Sequence, residues 1–147
     1  MSLINPLGPA AKLTRGFDYR DPLYYLGVHL AADYILASGQ TRGAPIVAAG
    51  DGEAMASPLY DKYRGWLVKV RTGDWLIGTA HMQAYTIPVN RWLPVKQGDL
   101  LGWADNTGVS LGDHCHVDCW NVHPLDDRAV QKMGWWAHDP AVYLGVN

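Results

Sequence analysis

The chain has 147 residues, 48% of them hydrophobic and 18% charged. That suits one domain with its own core and excludes an extended disordered chain. A net charge of −2 gives no electrostatic case for binding nucleic acid or an anionic membrane, and no apolar run approaches the roughly 18 residues of a membrane span.

Residues 1–14 lack a basic start and are interrupted by Pro6, Gly8 and Pro9, so they do not read as a signal peptide. They read as an irregular lead into a core over residues 15–144. Residues 15–28 mix turn formers with aromatics and read as a loop lining a surface cleft. His29-Leu30-Ala31-Ala32-Asp33-Tyr34 follows, with no helical period, and Gly39 to Gly43 is a turn-rich connection.

From Pro45 the pattern becomes one of short strands. Ile46-Val47-Ala48-Ala49 turns at Gly50-Asp51-Gly52 into Glu53 and its successors. Trp66, Val68 and Val70 alternate with Leu67, Lys69 and Arg71, then Thr72-Gly73-Asp74 turns the chain into residues 75–81. Two alternating runs around a Gly-centred turn predict a hairpin, with Trp75, Ile77, Thr79 and His81 on one face. Residues 94–99 form another turn into a strand over 100–104. Residues 106–113 read as a polar, Gly-bearing loop. The one predicted helix starts at Pro124, runs through residues 125–133 and stops at Gly134. Many short strands with little helix predict an all-β fold, mainly antiparallel sheet with long loops, as a sandwich or a partly open sheet.

The seven Trp and eight Tyr, against one Phe, suit either a groove for polar polymers or an ordinary small β core. Cys115 and Cys119 sit four apart; on one strand that is about 13 Å, beyond disulfide reach, which predicts two free thiols.

The chemistry centres on Gly112-Asp113-His114-Cys115-His116-Val117-Asp118-Cys119-Trp120. On a strand, His114 and His116 point to the same face, as one half of a metal site would. His29 with Asp33 at i+4 supplies a second half if that segment turns. Three ligands drawn from His29, Asp33 and the His114/His116 pair make a two-histidine, one-carboxylate zinc site, able to acidify bound water. The remaining imidazole of the pair and His81 can flank the open position for proton transfer. Spacing alone leaves open which of His114 and His116 is the ligand.

This ordered set of His-x-x-x-Asp, a lone His after a strand and a closing His-x-His resembles the lysostaphin-type (M23) zinc peptidases. The resemblance extends to Gly43-Ala44-Pro45-Ile46-Val47-Ala48 with Asp51-Gly52, to Thr79-Ala80-His81-Met82, and to Val95-Lys96-Gln97-Gly98-Asp99 with Leu101-Gly102 and Asn106-Thr107-Gly108. It covers about residues 13–144. The resemblance implies a lysostaphin-type peptidase fold and a single catalytic domain over 1–147. It implies one zinc ion held by His29, Asp33 and His116, with His81 and His114 as catalytic histidines and Tyr24 or Tyr25 supporting the oxyanion. The implied activity is endopeptidase cleavage of stems or cross-bridges in bacterial peptidoglycan.

Two positions depart from the family pattern: Ala31 stands where Gly is usual, and Cys115 stands between the closing histidines, facing away from the metal. With no signal peptide and no separate wall-binding segment, the expectation is a monomeric phage lysin made in the bacterial cytoplasm. It would be released through a holin-type membrane hole or carried on a virion tail, and would act on the cell wall without membrane insertion. The alternatives are an inactive wall-binding or tail module of the same fold, and a peptidase for ordinary proteins. His123 and His138 read as surface or satisfied core residues, the cysteines as core fillers and the Trp-rich tail as packing.

Overall fold

The structure is a computed structural model and describes residues 2–24, 27–56, 66–105 and 114–145. The strands in chain order are β1 (Leu3–Ile4), β2 (Ala11–Arg15), β3 (Ala32–Leu36), β4 (Pro45–Val47), β5 (Gly52–Ala56), β6 (Trp66–Thr72) and β7 (Trp75–Tyr85). There follow β8 (Leu93–Val95), β9 (Leu100–Ala104), β10 (Cys115–Asn121), β11 (Val130–Lys132) and β12 (Trp135–His138). A four-residue helix, α1 (Pro140–Tyr143), and β13 (Leu144–Gly145) close the chain. No helix among the described residues is long and apolar enough to cross a membrane.

One antiparallel sheet runs β11-β12-β10-β7-β6-β5-β8, with β2, β3, β4 and β9 branching from it. The predicted hairpin is β6–β7, turning at Gly73 with φ +56°. The two central strands, β7 and β10, pair from His116–Ala80 to Asn121–Trp75. Along β10, side chains alternate as strand geometry requires. Cys115, Val117 and Cys119 point into the core with Tyr34, Ala32 and Ile77, while His116 and Asp118 take the other face. Val117 is fully buried, and such burial stabilises by about 1.5–3 kcal/mol.

His81 does not follow the alternation. The face of Ile77 and Thr79 is the core face, so a regular β7 would bury His81 under the sheet. Instead His81 has φ +59°, and the β6–β7 register shifts just beyond Thr79. This irregularity turns the strand over. Before it β7 pairs with β10, and from Met82 onward it pairs with β9. The imidazole is thereby brought beside His114 and His116.

Two further expectations need correction. The lead is not wholly irregular: β1 pairs in parallel with β13, and β2 pairs with β3. These strands are hard to read because β1 has two residues, and in β2 the short alternation of Ala11-Lys12-Leu13-Thr14 lies on a largely exposed edge. The helix expected over residues 124–133 does not form. The Asp126 carboxylate there accepts the Arg128 amide at 2.9 Å and the Tyr143 hydroxyl at 2.5 Å. Residues 130–132 are strand, joined to β12 by Met133-Gly134 with φ of +53° and +84°. That is a two-residue hairpin turn, so Gly134 is a turn residue and not a helix stop. The proline start signal operates at Asp139-Pro140, where Asp139 caps α1 by accepting the Ala141 amide at 2.9 Å. The predicted loop over residues 106–113 lies outside the described residues.

Met133 is 90% exposed and occupies a left-handed conformation that suits Asn better. Met133→Asn is expected to stabilise the protein by about 1 kcal/mol. A rise in the urea midpoint would show this; a fall would contradict the turn assignment.

Candidate metal centre

Strand pairing brings the two halves of the site together across 83 positions of sequence. Asp33 on β3 lies directly opposite His116 on β10, so both side chains stand on the same sheet face. His29 lies just before β3, where the chain bends. Its backbone is tied to the 16–28 loop: the His29 amide donates to the Tyr19 carbonyl at 2.8 Å, and its carbonyl accepts the Asp18 amide at 3.1 Å. The bend lets an i,i+4 pair converge without a helix.

Three imidazoles surround the Asp33 carboxylate. Oδ1 lies 3.0 Å from His116 Nδ1, 3.5 Å from His29 Nε2 and 3.6 Å from His114 Nε2. Burial pushes the Asp33 carboxyl up, but hydrogen bonds from His116 and His29 and their Coulombic attraction outweigh it, holding the group well below the usual carboxylate range. The surrounding imidazoles thus favour the ionised carboxylate of Asp33, an oxygen donor that could meet a metal ion.

These residues fit a metal ion. One ligand atom each from His29, Asp33 and His116 lies within 4.8 Å of the others. A tetrahedral ion with bonds of about 2.0–2.1 Å spaces its ligand atoms about 3.3 Å apart, close to the 3.0 and 3.5 Å separations around Asp33. His29 is already oriented: its Nδ1 faces the Gly16 carbonyl at 3.1 Å. Donating there leaves the Nε2 lone pair for the metal. His81, His114 and His116 form a second convergent set, but it shares His116 and brings no negative charge to a dication.

His81 and His114 stand together on one side, ring centroids 4.7 Å apart, with His81 5.5 Å from His116. Backbone pairing fixes them: Asp105 bridges to His114 and donates its amide to the His81 carbonyl at 3.1 Å. All five histidine and aspartate positions thus meet in one place. Tyr24 stacks on His29 at 4.8 Å between centroids; Tyr25 lies outside the described residues. Cys115 and Cys119 are buried, free thiols on the opposite face. Burial pushes both well above the ordinary thiol range, so neither supplies a thiolate. His138 is fully buried but satisfied, with Nδ1 2.8 Å from the Trp136 carbonyl and Nε2 accepting the Leu125 amide at 2.9 Å. His123 is exposed, 3.8 Å from Asp74.

One further carboxylate near the site escaped the sequence reading. Asp118 follows His116 by two on the same face, and its Oδ2 lies 4.0 Å from His116 Nε2. The alternation that pairs His114 with His116 also reaches Asp118, so the signal was available. Its carboxylate occupies the space above Gly78, the residue opposite it on β7. A Cβ there would overlap Oδ1 and stand 3.1 Å from Cγ. Glycine at position 78 makes room for a carboxylate beside His116.

The β-sheet thus carries a two-histidine, one-carboxylate pocket that could hold a metal ion, with two more histidines beside it. The model of Peptidase family M23 matches residues 28–131, and the chain belongs to that family. Its fold is similar to that of the catalytic domain of the antimicrobial peptidase lysostaphin from Staphylococcus simulans, with 21% identity, a TM-score of 0.68, and coverage of 90% of this chain and 91% of that one. It is also similar to the catalytic domain, in a mutant form, of the prophage-encoded M23 protein EnpA from Enterococcus faecalis, at 20% identity, TM-score 0.68, and 97% and 98% coverage. A zinc-containing peptidase from Vibrio cholerae matches at 21% identity and TM-score 0.65 over 81% of this chain. The chain spans 36% of that longer protein.

Gly78→Ala is expected to displace the Asp118 carboxylate and weaken zinc binding by roughly 10–100-fold, the usual effect of disturbing a ligand's supporting group. Competition with a chromogenic chelator measures it. Unchanged affinity in a folded variant would remove Asp118 from the metal's support.

Proposed function

We propose that the chain is a zinc endopeptidase that hydrolyses peptide bonds in the stems or cross-bridges of bacterial peptidoglycan. The observation that carries this reading is the meeting of His29, Asp33 and His116 with His81 and His114 on one face of an M23-family sheet. His29 Nε2, an Asp33 oxygen and His116 Nδ1 would hold one zinc ion. The nitrogen and oxygen donors with a single carboxylate suit zinc and leave a net positive site. A bound zinc ion supplies Lewis acidity, making water a nucleophile near neutral pH and polarising the scissile carbonyl.

The other side chains orient and move protons. His81 and His114 stand beside the ligand set, where an imidazole can take the proton of the attacking water and return it to the leaving amine. The Tyr24 hydroxyl, carried on a ring stacked against His29, donates to the oxygen that gains charge at the tetrahedral stage. Retention of all five ligand and proton-transfer residues weighs against an inactive wall-binding module. The proposal places the protein in a phage context, as a monomeric lysin or a virion-borne enzyme; one protein of similar fold is prophage-encoded.

Two substitutions separate the roles. His116→Ala is expected to lose zinc and wall-clearing activity together. His81→Ala is expected to keep its zinc and lose about 10²–10⁴-fold in turnover, the range for a general acid–base group. Zymography on bacterial cell walls, paired with zinc content by plasma mass spectrometry, reads both. A fully active His81→Ala protein would refute the assignment.

A further inference from the structure

We propose that Arg15 is a positioning residue that aims and polarises the Tyr24 hydroxyl. The inference rests on the reading of Tyr24 as the oxyanion donor and adds the residue that makes it one.

Arg15 ends β2 and lies opposite Asp33 in the β2–β3 register, so its side chain rises on the metal-binding face. A β-bulge between Leu13 and Arg15 sets this pairing, and the Thr14 hydroxyl donating to the Asp33 carbonyl at 3.2 Å fastens it. From there Arg15 Nη1 donates to the Tyr24 hydroxyl oxygen at 2.6 Å. The guanidinium also lies 4.3 Å from the centre of the Tyr19 ring, and Tyr19 meets Tyr24 edge-on at 6.4 Å. The phenol is thus held at three points. Its backbone sits in a turn, with the Tyr24 amide on the Asp21 carbonyl at 3.1 Å and the Gly27 amide on the Tyr24 carbonyl at 2.8 Å. Its ring lies on His29, and its oxygen is fixed by Arg15.

The direction of that last bond matters. Arginine has donors only, so the Tyr24 oxygen must accept. The phenol's own hydrogen is then left to donate elsewhere, and a cation on the far side of the oxygen makes it a stronger donor. A tyrosine without this neighbour could spend its hydrogen on a nearby acceptor and rotate away from the reacting carbonyl. Arg15 acts on the reaction only through Tyr24.

The test is a double-mutant cycle on the zinc-loaded protein with Arg15→Ala, Tyr24→Phe and the double variant, plus Arg15→Lys. Two readouts are used: steady-state kinetics on purified cell walls, and calorimetric binding of inorganic phosphate as a tetrahedral oxyanion. Arg15→Ala is expected to lower kcat roughly 10- to 100-fold with little change in KM, and to weaken phosphate about tenfold. Zinc content and thermal midpoint should stay at the wild-type level. In the Tyr24→Phe background, Arg15→Ala should have no further effect on either readout. Arg15→Lys should restore part of the loss and covers the case in which the alanine variant folds poorly. The proposal is overturned if Arg15→Ala matches wild type, if its full effect persists without the Tyr24 hydroxyl, or if the zinc-loaded wild type does not hold phosphate. A wild-type protein that binds phosphate with this coupling but leaves cell walls intact would defeat the assigned substrate and leave the Arg15–Tyr24 link standing.

Discussion

One buried carboxylate organises the site. Asp33 stands within 3.6 Å of three imidazole nitrogens, and it does so because β3 pairs with the N-terminal half of β10. A carboxylate buried this far is costly unless it is paired. The fold surrounds it with nitrogen donors that a dication can replace in part. The same pairing sets the geometry of everything nearby. It puts His116 across from Asp33 on one side, and the β2–β3 pairing puts Arg15 across from it on the other.

The second constraint is the left-handed residue at His81. Without it β7 would be a regular strand, and the imidazole would lie among Ile77, Thr79 and Val117 in the core. A non-glycine residue in this conformation costs about 1–2 kcal/mol. Here it coincides with the change of partner from β10 to β9, so one irregularity both branches the sheet and brings the His81 imidazole beside His114 and His116. Strain of this kind collects where a site needs a side chain that the regular pattern would hide.

How far the sequence revealed this depends on the kind of signal. Local alternation was legible: the β6–β7 hairpin and the split of β10 into a cysteine face and a histidine face follow from period two. The ordered His and Asp motifs stood out through their likeness to the M23 pattern, and the structure brings those five residues together. What sequence pattern missed was non-local or left-handed. Nothing in Ala11–Arg15 announces that Arg15 meets Asp33, because the strand is an exposed edge. His81 was placed on the Ile77–Thr79 face because alternation assumes extended backbone throughout. Gly134 was taken for a helix stop because glycine after a run of ordinary residues serves both helix ends and hairpin turns. Asp118 was within reach of the alternation rule but drew no attention without the glycine opposite it.

The account stands on metal-dependent cleavage of peptide bonds in peptidoglycan. Mass spectrometry of the soluble fragments released from purified peptidoglycan, with zinc-loaded protein and again after chelation, tests this most directly. The account predicts fragments bearing new amino and carboxyl termini within the peptide portion, absent after chelation and restored by zinc. Intact peptides with the glycan cut instead, or release that persists without metal, would contradict it.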